Sequence, residues 1–324
     1  MPAIETRDLR KTYVSHKKAP GIMGSIKGLV TREKVEVEAV KGVDLSIEQG
    51  ELVGFLGPNG AGKTTTLKML SGILYPTSGE ARVLGYTPSD RNPEMLRQIS
   101  LVMGNKQQLW WDLPAWDSFV VLKELYEVSE ADFKRRVDHL VEALQISDKV
   151  NTQVRKLSLG ERMKCELVAA LLYAPKVIFL DEPTLGLDVV SQKRIREFLK
   201  QLHQEEGGTF LLTSHYMQDV QELCDRVVVI DHGSVVYEGT LEDLSERFSD
   251  SRRIRLAFST PVQEMDLVRF GRVVERSEEG AVVEVPRAET ARATAGLLES
   301  LPVSDLSIES VDIEEVIRDL FERK

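Results

Sequence analysis

Short apolar runs alternate with amphipathic stretches over roughly the first three quarters of the chain. ELVGFLG (51–57) is a buried-strand pattern followed by a glycine-rich loop and by TTTLKMLSGIL, whose apolar positions recur at helical spacing. KVIFLDEP (176–183) and TFLLTSH (209–215) repeat the strand pattern, and each leads into a helical stretch such as VSQKRIREFLKQLHQ (190–204). That alternation predicts an α/β fold, a parallel sheet with helices on both faces. DRVVVIDHGSVVYEG (225–239) predicts a terminal strand pair turned at His232, Gly233 and Ser234.

After Gly239 the pattern changes. RIRLAFS (253–259), RVVE (272–275) and AVVEV (281–285) are short alternating strands, whereas ETARATAGLLESL and DIEEVIRDLFERK are helical. A boundary near 240 follows, with one domain over 1–239 and a small α+β domain over 240–324. The second carries no catalytic constellation and reads as a packing or dimer module.

Composition narrows the picture. A chain of 324 residues with 42% hydrophobic and 29% charged residues can build a sizeable core. Its 42 basic against 52 acidic residues, net −10, argue against a nucleic-acid face. Cys165 and Cys224 lack metal-ligand spacing and sit in apolar surroundings, which predicts reduced core thiols. MPAIETRDLRKTY contains no signal-peptide core, and no run approaches the ~18 apolar residues of a spanning helix.

Three stretches carry chemistry. GPNGAGKTT (57–65) matches G-x-x-x-x-G-K-[ST] between a predicted strand and helix. Gly57, Pro58, Asn59, Gly60, Ala61 and Gly62 would wrap phosphates with backbone N–H groups, with Thr65 in the following turn. Lys63 would reach the β- and γ-phosphates of a nucleotide, and the Thr64 hydroxyl would bind Mg²⁺. VIFLDE (177–182) ends a buried strand in two carboxylates: Asp181 suits the Mg²⁺ shell, and Glu182 is placed to polarise an attacking water. In KLSLGERMKCELVAALLYAP (156–175), Met163, Leu167, Ala170 and Leu171 follow helical spacing, so a core-facing helix is expected just after Gly160. Ser158 and Gly160 then lie where free N–H groups can bind an anion, although Ser158 taken alone reads rather as a simple N-cap of a buried helix.

Taken in order, these pieces resemble the ATP-binding cassette (ABC) family of transporter ATPases over about residues 4 to 240. The resemblance implies a P-loop NTPase of the ABC type with a helical subdomain. LSLGE (157–161) is similar to the family's signature, which binds the γ-phosphate held by a second protomer, so Ser158, Gly160 and Glu161 become cofactor-binding positions. LGLD (185–188) is similar to the D-loop, with Asp188 at the dimer interface. His215 matches the switch histidine that positions the γ-phosphate, and Tyr13 matches the aromatic that stacks on adenine. Lys63, Glu182 and His215 are thereby the expected catalytic set, with ATP and Mg²⁺ as cofactors.

Three positions depart from the family. Leu159 stands where the signature has Gly, adding bulk near the phosphate, and Glu161 stands where it has Gln, adding a negative charge. The Q-loop glutamine aligns with Asn105, which takes the phosphate- and metal-side role on a shorter arm, with Gln107 and Gln108 close behind.

All three tryptophans, Trp110, Trp111 and Trp116, fall in QLWWDLPAWDSF just after that loop. In the resembled family this segment forms the groove that receives a helix of the membrane subunit, and large aromatics suit a helix-in-groove contact. Residues 15–36 form an insert longer than the family carries. Ile22, Ile26, Leu29 and Val30 share one possible helical face flanked by Lys17, Lys18, Lys27 and Arg32, fitting anionic lipid or the permease, while Gly21, Gly24 and Gly28 favour a surface loop. The resemblance implies the ATP-hydrolysing subunit of a membrane exporter, pairing with a second copy and with permease subunits, cytoplasmic and peripheral on the inner face of the membrane. Two alternatives remain: a soluble ABC ATPase acting on a ribosome or DNA complex, and a regulatory nucleotide switch.

Overall fold

The computed structural model describes residues 2–16, 34–104, 108–248, 251–311 and 313–322. They fall into two units, Met1–Glu238 and Gly239–Lys324.

The first unit opens with an antiparallel hairpin of β1 (Ile4–His16) and β2 (Lys34–Ile47), paired outward as far as His16 opposite Lys34. The ends of the expected insert therefore extend the hairpin, Ser15 lying opposite Val35, while residues 17–33 are outside the described residues. After β3 (Leu52–Leu56), β4 (Ser78–Val83) adds to the free side of β1, giving a three-stranded sheet in the order β2-β1-β4. The sequence pattern did not predict this sheet.

The central sheet runs β5-β6-β7-β3-β8-β9, with β5 (Ile99–Met103), β6 (Val177–Asp181), β7 (Thr209–Thr213), β8 (Arg226–Asp231) and β9 (Ser234–Thr240). Strands β5 to β8 pair in parallel through β3. Every residue of β3, β6 and β7 is buried, which is why their sequences are unbroken apolar runs rather than alternations. The β8–β9 connection holds His232 at φ 48° and Gly233 at φ 85°, the left-handed pair that a two-residue hairpin needs.

Helices α1 (Lys63–Leu70), α2 (Pro93–Leu96), α3 (Ala115–Leu125), α4 (Glu130–Ala143), α5 (Leu159–Leu171), α6 (Val189–Glu206) and α7 (Met217–Leu223) complete this unit. Helices α3 and α4 pack on α5 between β5 and β6, forming the helical subdomain. In α4 the Ser129 hydroxyl caps the Asp132 N–H, and Phe133, Val137, Leu140 and Val141 face inward. Full burial of each such side chain contributes roughly 1.5–3 kcal/mol. Helix α5 starts at Leu159 rather than after Gly160, because Ser158 caps it one residue earlier. Cys165 and Cys224 are free and buried, and burial lifts the Cys165 thiol to about 12 and raises Cys224 as well.

The second unit is a four-stranded antiparallel sheet, β11-β12-β10-β13, built from β10 (Ser251–Phe258), β11 (Arg272–Arg276), β12 (Gly280–Pro286) and β13 (Val303–Ser310). Its helices are α8 (Leu241–Phe248), α9 (Glu264–Val268), α10 (Thr290–Ser300) and α11 (Ile313–Glu322). Ile254, Leu256 and Val283 from the sheet, Leu267 from α9 and Leu297 from α10 form its core. The chain thus joins an α/β unit with a parallel sheet and a helical subdomain to a small α+β domain. Among the described residues, no helix is long and apolar enough to cross a membrane.

Candidate nucleotide site

The candidate site lies where β3, β6 and β7 end, at the carboxyl edge of the parallel sheet, where open α/β folds bind ligands. After β3 the chain enters the P-loop. Gly62 caps α1 at φ 108°, and a Cβ there would lie 2.5 Å from the Ala39 carbonyl oxygen, so only glycine fits. No side chain caps α1. Its first N–H groups are therefore left for an anion at the positive end of the helix. Gly60 also has positive φ, 82°, and Ala61 is buried and donates its N–H to the Pro58 carbonyl at 3.1 Å. Asn59 is exposed beside them, and Thr65 is half-buried on α1.

Lys63 is 5% exposed. Its ammonium donates to the carbonyls of Gly57 at 2.6 Å and Pro58 at 3.1 Å. Burial lowers its pKa, opposed by the charges of Glu182 and Asp181. The adjacent Thr64 hydroxyl donates to the Asp181 carboxylate, 2.8 Å to Oδ2. Thr213, at the end of β7, donates to Asp181 Oδ1 at 2.8 Å, and its hydroxyl accepts the Glu182 N–H at 3.1 Å. Glu182 Oε1 lies 2.8 Å from His215 Nε2. Thr64, Asp181, Glu182 and His215 are thus brought into one connected set beside Lys63, and Thr213 joins it without having been read from the sequence. Its only advance signal was a hydroxyl at the last position of a buried strand.

Glu182 sits at φ 56°, a left-handed conformation uncommon outside glycine. Gly104 presses on the same point: it donates its N–H to the Asp181 carbonyl at 2.8 Å, and a Cβ on it would fall 2.2 Å from the Glu182 carbonyl oxygen. The oxygen donors at Thr64 and Asp181 suit a hard divalent cation such as Mg²⁺, which takes few protein ligands and completes its shell with phosphate and water. Among the described residues no group of three or more His, Cys, Asp or Glu could by itself hold a metal. Asn105, expected on the metal side, lies outside the described residues.

A second polar group forms around the start of α5. Ser158 Oγ accepts the Glu161 N–H at 3.2 Å while Glu161 Oε2 accepts the Ser158 N–H at 2.9 Å, a capping box. The Glu161 charge is turned back onto its own helix and toward Lys149 at 3.2 Å, and the Ser158 N–H lowers its pKa. Because the Ser158 oxygen accepts, its hydroxyl proton can still donate to a phosphate. A Cβ on Gly160 would lie 2.5 Å from Ser191 Oγ, and Ser191 in turn is held by Asp188, the N-cap of α6. Leu159 is 37% exposed beside Gly186. Leu185 is exposed on the neighbouring LGLD stretch, as are Val189 and Val190 at the start of α6. No hydrogen bond or ion pair among the described residues links Ser158, Gly160, Glu161 or Asp188 to the P-loop.

Behind both groups lies a buried network that sequence spacing gave no means to find. Asp219 on α7, fully buried, pairs with Arg196 of α6 at 3.1 Å and accepts from Ser214 at 2.6 Å and from Thr184. Thr184 follows Glu182 by two residues and Ser214 precedes His215, so one carboxylate braces the backbone on both sides of the Glu182–His215 pair. Tyr13 is on β1, 42% exposed, with Lys11 over its ring. Trp110 and Trp111 are exposed, while Trp116 is half-buried and meets Phe133 edge-on at 5.7 Å.

A phosphate-wrapping loop, a hydroxyl-bound strand-end aspartate and an adjacent carboxylate–histidine pair define a P-loop nucleotide-binding protein. Comparison with known proteins narrows the class. The family model described as "ABC transporter" matches residues 40–185, and that of the "EvrA-like ABC transporter, C-terminal domain" matches 250–309. The ABC transporter ATP-binding protein NatA of Bacillus subtilis is 39% identical over 220 residues, 67% of this chain and 89% of NatA. The linearmycin resistance ATP-binding protein LnrL of the same organism is 34% identical over 220 residues, 68% of this chain and 70% of LnrL. A solved structure of an ATP-binding subunit of an ABC transporter superposes with TM-score 0.63 at 26% identity, covering 76% of this chain and 93% of that one. The chain belongs to the ABC transporter ATP-binding proteins, and it resembles the drug- and antibiotic-exporter branch.

Proposed function

We propose that two copies of this chain close around two Mg·ATP molecules and drive an exporter through membrane subunits that dock on the tryptophan segment. The observation that carries the hydrolytic part is the connected set Thr64–Asp181–Thr213–Glu182–His215 at the strand ends. Lys63, buried among neutral carbonyls, meets the β- and γ-phosphates, and the first turn of α1 adds its N–H groups. Thr64 and Asp181 would hold Mg²⁺, which would supply neutralising charge for the phosphate oxygens. Glu182 orients and activates the attacking water as its base, and His215, against Glu182, positions the γ-phosphate. In the composite site the partner copy's signature serine donates its hydroxyl proton across the interface, while Gly160 lets that turn pack on α6. Glu161 does not burden the site, since its charge is taken up by the capping box and Lys149.

The export direction is supported by the likeness to LnrL, a linearmycin resistance ATP-binding protein. Docking is supported by the exposed rings of Trp110 and Trp111, with Leu113, Val121 and Leu125 also exposed nearby in the chain. Two measurements test the proposal. Glu182→Gln is expected to slow ATP turnover by roughly 10²–10⁴ while labelled ATP still binds; unchanged turnover would remove Glu182 from the mechanism. A photo-reactive residue at Leu113 is expected to capture an integral membrane protein in cells, and capture of a ribosomal or DNA-repair protein would overturn the transporter reading.

A further inference from the structure

Glu166 is a carboxylate inside the apolar run of α5, 3% exposed, between residues that are fully buried. Nothing in the nucleotide chemistry above uses it. It accepts the Gln108 N–H, 3.1 Å to one oxygen and 3.0 Å to the other, and the Leu109 N–H at 3.4 Å. Trp110 and Trp111 follow directly. One turn earlier on the same helix, the Arg162 guanidinium lies 5.4 Å from the centre of the Trp111 ring, a cation–π contact. Positions 162 and 166 thus share a face of α5, and both reach the tryptophan segment.

The chain entering the signature holds that segment too. Arg155 N–H donates to the Trp111 carbonyl and Val154 N–H to the Leu113 carbonyl, each at 3.0 Å, and Arg155 pairs with Asp112 at 3.1 Å. Ser158 therefore sits between two attachments to one segment, one before it and one after it. Rings that face outward are tied through backbone to the serine assigned to phosphate.

We propose that Glu166 is a positioning residue that clamps the tryptophan segment to the signature helix, so that nucleotide engagement at Ser158 and docking at Trp110 and Trp111 move as one body. The proposal rests on the function proposed above. The two consecutive amide N–H groups of Gln108 and Leu109 need an acceptor with no hydrogens of its own. An ionised carboxylate offers two such oxygens, whereas glutamine would turn an NH₂ toward one of the amides. Burial raises the Glu166 pKa, and the two amide N–H groups and then the Arg162 charge work against that rise by favouring the ionised form. A neutral apolar residue would fill this place in the core at less cost, but it would leave both amides without their acceptor.

The chain supplies its own reporter, because its three tryptophans all lie in this segment. Intrinsic fluorescence would be followed on adding Mg·ATP to Glu182→Gln protein, with ATP binding measured separately by retention of labelled nucleotide. The ATP-induced change is expected to fall about fivefold or more when Glu166→Gln is added, the lower end of a typical coupling between sites, with labelled ATP still bound. Arg162→Leu, which removes the second hold, is expected to weaken the change in the same direction, and it carries the test if Glu166→Gln fails to fold. A full ATP-induced change in whichever variants fold and bind ATP would overturn the proposal, as would a lowered Tm with that change intact, the mark of a merely structural carboxylate. No change in a Glu182→Gln parent that binds ATP would also overturn it. A parent that fails to bind ATP would bring down the ATPase reading and this proposal together, and the binding assay tells that case apart.

Discussion

At the ends of β6 and β7, Asp181 meets hydroxyls, Glu182 meets a histidine, and Lys63 donates only to neutral carbonyls. Across the second unit, arginine meets glutamate instead. Arg253 pairs with Glu284 and Glu315, Arg255 with Glu275 and Glu309, Arg272 with Glu284, Arg276 with Glu264, and Arg252 and Arg287 both with Glu246. The same residue types serve opposite ends. A cation already neutralised by a carboxylate has little field left for a phosphate, whereas a buried ammonium facing carbonyls gains strongly from an incoming polyanion. The arginine-rich sheet therefore has its charges paired among themselves, while the strand ends of the first unit hold theirs ready for a ligand.

Two substitutions sharpen this contrast. The larger effect is expected at Arg196, whose side chain is 3% exposed against 1% for its partner Asp219. Arg196→Ala leaves a buried carboxylate without its counter-charge and should lose about 3–5 kcal/mol of stability. Urea unfolding followed by tryptophan fluorescence reads the first unit alone, because all the indoles lie there. The smaller effect is expected at Arg255, 53% exposed and paired in the same formal way. Arg255→Ala should shift stability by no more than about 1 kcal/mol in calorimetry. Equal losses at the two sites would break the distinction between charges that brace a core and charges that dress a sheet.

The legibility of the sequence follows burial. β3, β6 and β7 were readable because strands buried on both faces must be apolar throughout, and the P-loop because its glycines serve backbone geometry found in few other settings. β13 was not, since VSDLSIES is an edge strand with mostly exposed positions and so carries no strong alternation. The Arg196–Asp219 pair joins residues 23 apart on different helices, a separation with no period to betray it. Glu166 left one visible sign, a charge inside CELVAALL, but its amide partners lie 58 and 57 residues away and only the fold brings them together. Glu161 looked troublesome because its charge was visible and its capping partner had not been assigned.

The backbone at Glu182 leaves a mark on what this sequence can tolerate. A left-handed torsion at a residue with a side chain costs about 1–2 kcal/mol, and glycine would occupy it freely. Gly104, packed against the same carbonyl, cannot gain a side chain unless that torsion relaxes. Evolutionary drift under selection for folding alone would therefore favour removing the carboxylate while leaving its glycine neighbour fixed. With Glu182 as the base proposed above, position 182 is where a loss of hydrolysis should first be written.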